Sequence, residues 1–436
     1  MISSQEILDR AVSRARKRLV PFLLLMYVVA FLDRANIGFA KQALETHAGI
    51  TPEGYAFAAG LFFISYAAFE IPSNLILHKV GARLWMARIM VTWGLVSMAT
   101  IFVVGSRSFF ALRLLLGAAE AGFFPGVILY LTYWFPNRAR AQVFGLFYFG
   151  APLALIFGGP ISGLLLQMNP VGSLENWQWM FLVEGSFAVA VGVWSYKYLG
   201  NRPADATWLS TAEKGALENA LADEQSQQYP DGRFRLAPML RDPYLLQFAL
   251  IYFFLQMSIY GVVFYLPSEV STLINKPAGF EVGLVSAIPW ICALAGAFLL
   301  PRLADWLNQR RRVTAIALAV TGCASFLFPL VGPRAGLISL SIAAAGLIAV
   351  QPLFWTFPAS YLSGNAAAAG LAMINALGAV GGFVAPNVKT WADDRFSSPR
   401  AGLFVLATVT LLNAGLIAIV RTPHPPDNAS QKHRQT

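Results

Sequence analysis

The chain has 436 residues, of which 57% are hydrophobic and 12% charged, with a mean hydropathy of +0.57; soluble domains carry roughly a quarter charged residues. This composition leaves no room for a soluble catalytic domain. The net charge of +10 does not signal a nucleic-acid partner either, because the basic residues flank apolar segments in a pattern that membrane topology explains.

Residues 1–19 carry Arg10, Arg14, Arg16, Lys17 and Arg18 ahead of a long apolar stretch with no small-residue cleavage site, which predicts a retained start helix. Apolar segments of about 20 residues, each long enough to cross a bilayer, then follow in order. They are predicted at 20–41, 56–78, 84–104, 108–130, 141–167, 177–199, 244–271, 281–302, 313–331, 336–361, 366–389 and 401–420. Twelve spans put both termini on one side, and placing that side in the cytoplasm puts most of the 32 Lys and Arg in cytoplasmic segments. The expectation is an all-α integral membrane protein of the bacterial inner membrane. Its parts are a six-helix bundle over 20–199, a polar cytoplasmic loop over 200–243, a second bundle over 244–420 and a cytoplasmic tail over 421–436.

Two bundles that rock about a central site can expose it to each side in turn. Small residues recur in the fifth span (Gly145, Gly150, Pro152, Gly158, Gly159, Pro160, Gly163) and the eleventh (Gly370, Gly378, Gly381, Gly382, Pro386), where they let helices approach closely. Cys292 and Cys323 lie in apolar segments and the four histidines have no ligand spacing, so neither a metal nor a cofactor is expected. Without a nucleophile or metal constellation the chain does not read as an enzyme.

An ionisable group at mid-bilayer costs on the order of 2.5–3.5 kcal/mol and needs a reason. Six fall in the first half: Asp33, Arg34, Glu70, Arg113, Glu120 and Glu184. Arg113 and Glu120 are two helical turns apart and share a face, while the adjacent Asp33 and Arg34 point about 100° apart. One wiring pairs Asp33 with Arg113 and leaves Arg34 for a ligand anion. A guanidinium suits a carboxylate because it stays charged and presents a fork. A buried carboxylate suits proton coupling, because desolvation and a neighbouring arginine compete over its proton. Glu70 and Glu184 read as architectural. The second half shows no matching buried charge but has Gln256, Tyr260, Gln351, Trp355 and Asn375 at mid-helix, suited to reading hydroxyls beside an apolar wall.

FLDRANIGFA, SYAAFEIPSN, RLLLGAAEAGFFPG and GLFYFGAPLAL, with AIPW, AVQPLFWTFP and NALGAVGGFVAP in the second half, resemble the major facilitator superfamily. Within it the resemblance is to the anion:cation symporter family, over about residues 18–420. The second-half motifs look closest to sugar-acid permeases of the rhamnonate kind, with tartrate and hydroxyphenylacetate permeases as near relatives. The resemblance implies that Asp33 and Glu120 carry the coupling proton and that Arg34 holds the substrate carboxylate, with Arg113 balancing the acids. Tyr66, Gln256, Trp355 and Asn375 would line the substrate site. In that superfamily the loop after the second span carries an acidic residue, whereas LILHKVGARLW has His78 there. Its counterpart RLADWLNQRRRV keeps Asp305 with Arg310 and Arg311, and is expected to be the more important gate. The implied activity is proton-coupled import of an organic anion, an aldonate such as rhamnonate or galactonate, by a monomer in the lipid bilayer. The alternatives are tartrate or aromatic-acid uptake, or an exchanger or exporter on the same fold.

Overall fold

The computed structural model describes residues 4–168, 172–228, 241–361 and 365–420, and these are almost wholly helical. Twelve helical segments among the described residues are long and apolar enough to cross a membrane. The first six are α1 (Ser4–His47), α2 (Pro52–Val80), α3 (Ala82–Met98), the pair α4 (Gly105–Glu120) and α5 (Phe123–Thr132), the pair α6 (Asn137–Tyr148) and α7 (Gly150–Gln167), and α8 (Asn176–Tyr198). A further helix, α9 (Thr211–Gln228), lies in the stretch expected to be a plain polar loop. Then come α10 (Pro243–Ile274), α11 (Phe280–Trp306), α12 (Arg310–Leu327), α13 (Pro333–Tyr361), α14 (Asn365–Arg395) and α15 (Ala401–Ile419). The tail over 421–436 lies outside the described residues.

Local chemistry sets the helix ends. Thr51 caps α2 by accepting from the Gly54 backbone N–H at 3.1 Å, with Pro52 in the first turn, where its missing N–H costs nothing. Asp242 caps α10 by accepting from Tyr244 N at 2.8 Å and Leu245 N at 3.2 Å. The fourth span was expected to be continuous, but it breaks after Glu120, where Gly122 takes a left-handed backbone with φ of +85° that favours glycine. Glu120 is thereby the last residue of a half-span, which is where transporters place site residues.

The two halves repeat one packing plan. In the first, α1 packs on α7, α2 on α4 and α3 on α8; in the second, α10 packs on α14, α11 on α13 and α12 on α15. Across the divide, α7 meets α11, α2 meets α14 and α1 meets α10. Several of the small residues read from the sequence, among them Gly150, Gly159, Gly163, Gly378 and Gly381, sit at these crossings, whereas Gly145 meets no neighbouring helix among the described residues. A Cβ on Gly159 would lie 2.9 Å from the carbonyl oxygen of Gly283, and one on Gly283 would fall on the carbonyl oxygen of Gly159, so the two backbones touch directly. These cross-half contacts lie toward the face that carries the 48–51 and 275–279 connections, the distal face. A central cavity lies between the halves on the side nearer the chain termini, the terminal face.

Candidate functional site

Arg34 stands at the head of this cavity. Its Nη2 donates to Glu120 Oε1, and its Nη1 donates to the hydroxyl of Tyr260 at 3.0 Å. The partners come from different halves, Glu120 from α4 and Tyr260 from α10. Around the guanidinium carbon stand the rings of Phe62 at 5.0 Å, Tyr66 at 5.3 Å and Phe31 at 5.6 Å, which hold the cation by their negative faces.

Asp33 does not face the cavity. Its neighbour's geometry explains why: a one-residue step turns the side chain about 100°, toward α3 and α8 rather than α4. There Asp33 accepts from the Ser97 hydroxyl and, at 3.4 Å, from Asn36. Asn36 also donates to Glu184 at 2.8 Å, and Ser162 donates to Glu184 at 2.7 Å. Glu184 thus ties together α1, α7 and α8. The wiring of Asp33 to Arg113 with Arg34 left free is not the one found. Arg34 is engaged with Glu120, and no ion pair within 4.0 Å joins Asp33 to Arg113 among the described residues. Arg113 is buried, with its guanidinium carbon 5.0 Å from the ring of Phe62. Phe62 therefore serves two guanidiniums.

The cavity holds about 560 Å³, the size of a small-molecule site. Arg34, Glu120, Tyr66, Gln256, Trp355 and Asn375 all line it, as does Gln351; Asp33 and Arg113 do not. Asn375 donates to Glu70 Oε1 at 2.9 Å, so Glu70 is joined to the lining from the opposite half. Sequence reasoning missed Tyr27, Tyr148 and Tyr252, which also line the cavity. Tyr252 has its ring 4.7 Å from Trp355, and Tyr27 stacks at 4.6 Å on Phe147. A tyrosine inside an apolar run carries no sequence mark that separates lining from packing.

The expected gating residues lie away from the cavity, on the terminal face. Asp305 accepts from Arg310 at 2.8 Å, and Arg311 donates to the backbone carbonyl of Val420 at 2.9 Å, anchoring the end of α15. His78, in the altered counterpart loop, is 2.8 Å from the Tyr133 hydroxyl.

The absence of buried charge in the second half is corrected by Lys389, which is 6% exposed. Its Nζ is 2.8 Å from Asp393 and 3.9 Å from Glu269, and 4.4 Å from the centre of the Tyr265 ring. The eleventh span was expected to end at 389, which made this lysine a boundary residue. Instead α14 runs on to Arg395 and carries it inside. From the first half, Lys41 lies 5.7 Å from the Tyr55 ring and 6.0 Å from the Tyr265 ring. The cluster thus brings residues of both halves together toward the distal face.

The sequence profile of the Major Facilitator Superfamily matches residues 23–386. The chain is 44% identical over 418 residues to the inner membrane transport protein RhmT of Escherichia coli K12, spanning 96% of this chain and 97% of that one. It is 40% identical over 430 residues to a putative tartrate transporter of Agrobacterium vitis, spanning 98% of each. A quinolone resistance transporter of Acinetobacter baumannii is 38% identical over 407 residues, spanning 92% of this chain and 93% of its own. Among solved structures, a D-xylose–proton symporter superposes with a TM-score of 0.72 at 14% identity, covering 93% of this chain and 98% of that one. An inward-facing bacterial homologue of the human lysosomal transporter Spinster gives 0.71 at 13%, covering 92% and 96%. Identities this low speak for the fold alone, while the profile and the full-length relatives speak for the family. The chain therefore belongs to the Major Facilitator Superfamily: it is a multi-pass inner-membrane transporter and not an enzyme.

Proposed function

We propose that the transporter imports an organic monocarboxylate with several hydroxyls, a sugar acid, together with a proton, and that its termini lie in the cytoplasm. The observation that carries this reading is the guanidinium of Arg34 at the head of the cavity, held between Glu120 and Tyr260. A substrate carboxylate needs the two guanidinium nitrogens that Glu120 and Tyr260 now occupy. Protonation of Glu120 removes its negative charge and releases Arg34 for the substrate; loss of that proton restores the pair and expels the substrate. Proton and anion are then linked by competition for one side chain. Asp33, behind Arg34 and bonded to Ser97 and Asn36, supplies the second acid of the coupling pair, with Arg113 balancing the two. Gln256, Gln351 and Asn375 offer donors and acceptors along the wall, and Trp355 offers an apolar face to the carbon chain.

The name of the Agrobacterium vitis relative, a putative tartrate transporter, agrees with an organic-acid substrate. A second reading, uptake of an aromatic acid, is favoured by the ring-rich lining, which includes Tyr27, Phe124, Tyr148, Tyr252 and Trp355. Both readings meet one experiment: uptake of rhamnonate, galactonate, tartrate and hydroxyphenylacetate into proteoliposomes, with and without an inward proton gradient. Gradient-driven accumulation of an aldonate supports the first reading. Accumulation of the aromatic acid alone selects the second, and accumulation of none of them removes both.

A further inference from the structure

Glu70 is 6% exposed and lies on α2, one helical turn beyond Tyr66 toward the terminal face. Tyr66 lines the cavity and packs its ring on Arg34. Residues four apart on a helix share a face, so Glu70 belongs to the same wall. Its Oε1 accepts from Asn375 Nδ2 at 2.9 Å, and its Oε2 is buried with no hydrogen-bond partner among the described residues. An ionised Glu70 offers no donor, so the amide edge that meets it is the nitrogen, as the Nδ2 contact to Oε1 has it. With Glu70 ionised the orientation of the Asn375 amide is set: its nitrogen points to Glu70 and its carbonyl oxygen points away.

We propose that Glu70 is a positioning residue for substrate recognition, which turns the carbonyl oxygen of Asn375 into the cavity so that this wall accepts a hydrogen bond from a substrate hydroxyl. The inference rests on the reading of the cavity as a hydroxy-carboxylate site and adds which kind of polar atom is read there. Arg34 takes the acidic end of the substrate. About one turn further along the cavity, Asn375 then favours a group that donates, a hydroxyl, over one that only accepts, such as a ketone or a methyl ether. A buried acceptor left facing another acceptor loses its partner, which makes the discrimination strong in a dry site. Because Glu70 and Asn375 come from different halves, the selective orientation exists when α2 and α14 are together at this depth.

The test is competition in proteoliposomes of the full-length transporter, with labelled galactonate as substrate. The competitors are galactonate, its keto analogues and its O-methyl ethers, changed one carbon at a time. The wild type should disfavour the altered compound at one carbon by about tenfold or more, the worth of one well-made hydrogen bond. Glutamine at 70 both donates and accepts, so the Asn375 amide is free to turn, and Glu70→Gln should bring that preference to within about threefold. Glu70→Asp, which keeps the carboxylate but withdraws it by one methylene, should retain an intermediate preference. Asn375→Ser should abolish the preference on its own, and adding Glu70→Gln should then change it no further, since the glutamate acts through the amide.

A residue that merely staples the two halves would weaken all competitors alike in these variants. That outcome, or a wild-type preference kept intact in Glu70→Gln, overturns the proposal. If carboxylates are transported but no single hydroxyl matters to the wild type, the inference falls and the carboxylate reading stands. If no carboxylate competes or is transported at all, both fall together.

Discussion

Arg34 and Tyr260 come from opposite halves of the transporter, and the 3.0 Å hydrogen bond between them closes the distal end of the cavity. The ring of Tyr260 packs 4.4 Å from Phe63 of α2, so the hydroxyl can be removed without losing the contact. Tyr260→Phe should weaken the closed distal gate by roughly 1 kcal/mol, the worth of one such hydrogen bond. The check is thiol labelling from the distal face of a cysteine placed at Ala56, which is 1% exposed, after replacing Cys292 and Cys323. Labelling should be several-fold faster with phenylalanine at 260; an unchanged rate would mean that the bond does not hold the gate.

Coupling should fail separately from binding. Glu120→Gln and Asp33→Asn should abolish gradient-driven accumulation while retaining exchange of labelled for unlabelled substrate across the membrane. Arg34→Lys should raise KM by about tenfold or more, because a point charge cannot replace the two-toothed contact. Normal accumulation by both acid variants would remove them from the proton path, and an unaltered KM in the lysine variant would move the carboxylate elsewhere.

Lys389 should be a stability residue of the distal face. Lys389→Met removes the nearest cation from Asp393 and leaves Glu269 only the influence of Lys41 among the described residues; breaking a fully buried pair costs about 3–5 kcal/mol, and this partly exposed cluster should lose less. Thermal unfolding in detergent should show a marked drop, and adding Glu269→Gln should recover part of it. A melting temperature equal to that of the wild type would show the cluster to be solvated.

The docking of α9 should depend on pH. Burial acts to raise the pKa of Glu213, but the backbone N–H and hydroxyl of Ser210 and the guanidinium of Arg14 outweigh it and hold the carboxyl below its ordinary range. A group lowered in this way contributes stability above its unfolded pKa of about 4.3 and loses it as pH falls through the folded value. Limited proteolysis between 200 and 243 should therefore be slow at neutral pH and accelerate below about pH 4. Glu213→Gln should be cleaved faster at pH 7 and show a flatter profile; equal cleavage of both at every pH would discount the contact.

How much of this was legible in the sequence follows from what each signal depends on. Twelve spans and a divided chain follow from hydropathy, a property of the residues themselves. Arg34 and Glu120 stood out because charge is rare in apolar runs. Their pairing did not, since the spacing of Arg113 and Glu120 on one helix says nothing about which neighbouring helix presents which partner. The Gly122 break was written in AEAGFFPG, but glycine and proline also occur in unbroken membrane helices. Lys389 was misread because hydropathy locates the middle of a span better than its end.

Pro21 lies inside α1, between Arg14, which pairs with Glu213 of α9, and Arg34, which lines the cavity. A proline removes one rung of the helix ladder and permits a bend. A bend at that point would divide α1 into a terminal part held by Arg14 and a distal arm that carries both Arg34 and Lys41. Lys41 stands about 10 Å along the axis from Arg34. A tilt of that arm by about 10° around Arg34 shifts Lys41 by roughly 2 Å, enough to take its ammonium beyond the roughly 6 Å reach of Tyr265. A shift of Arg34 at the cavity would in this way be felt at Lys41, seven residues along the same helix.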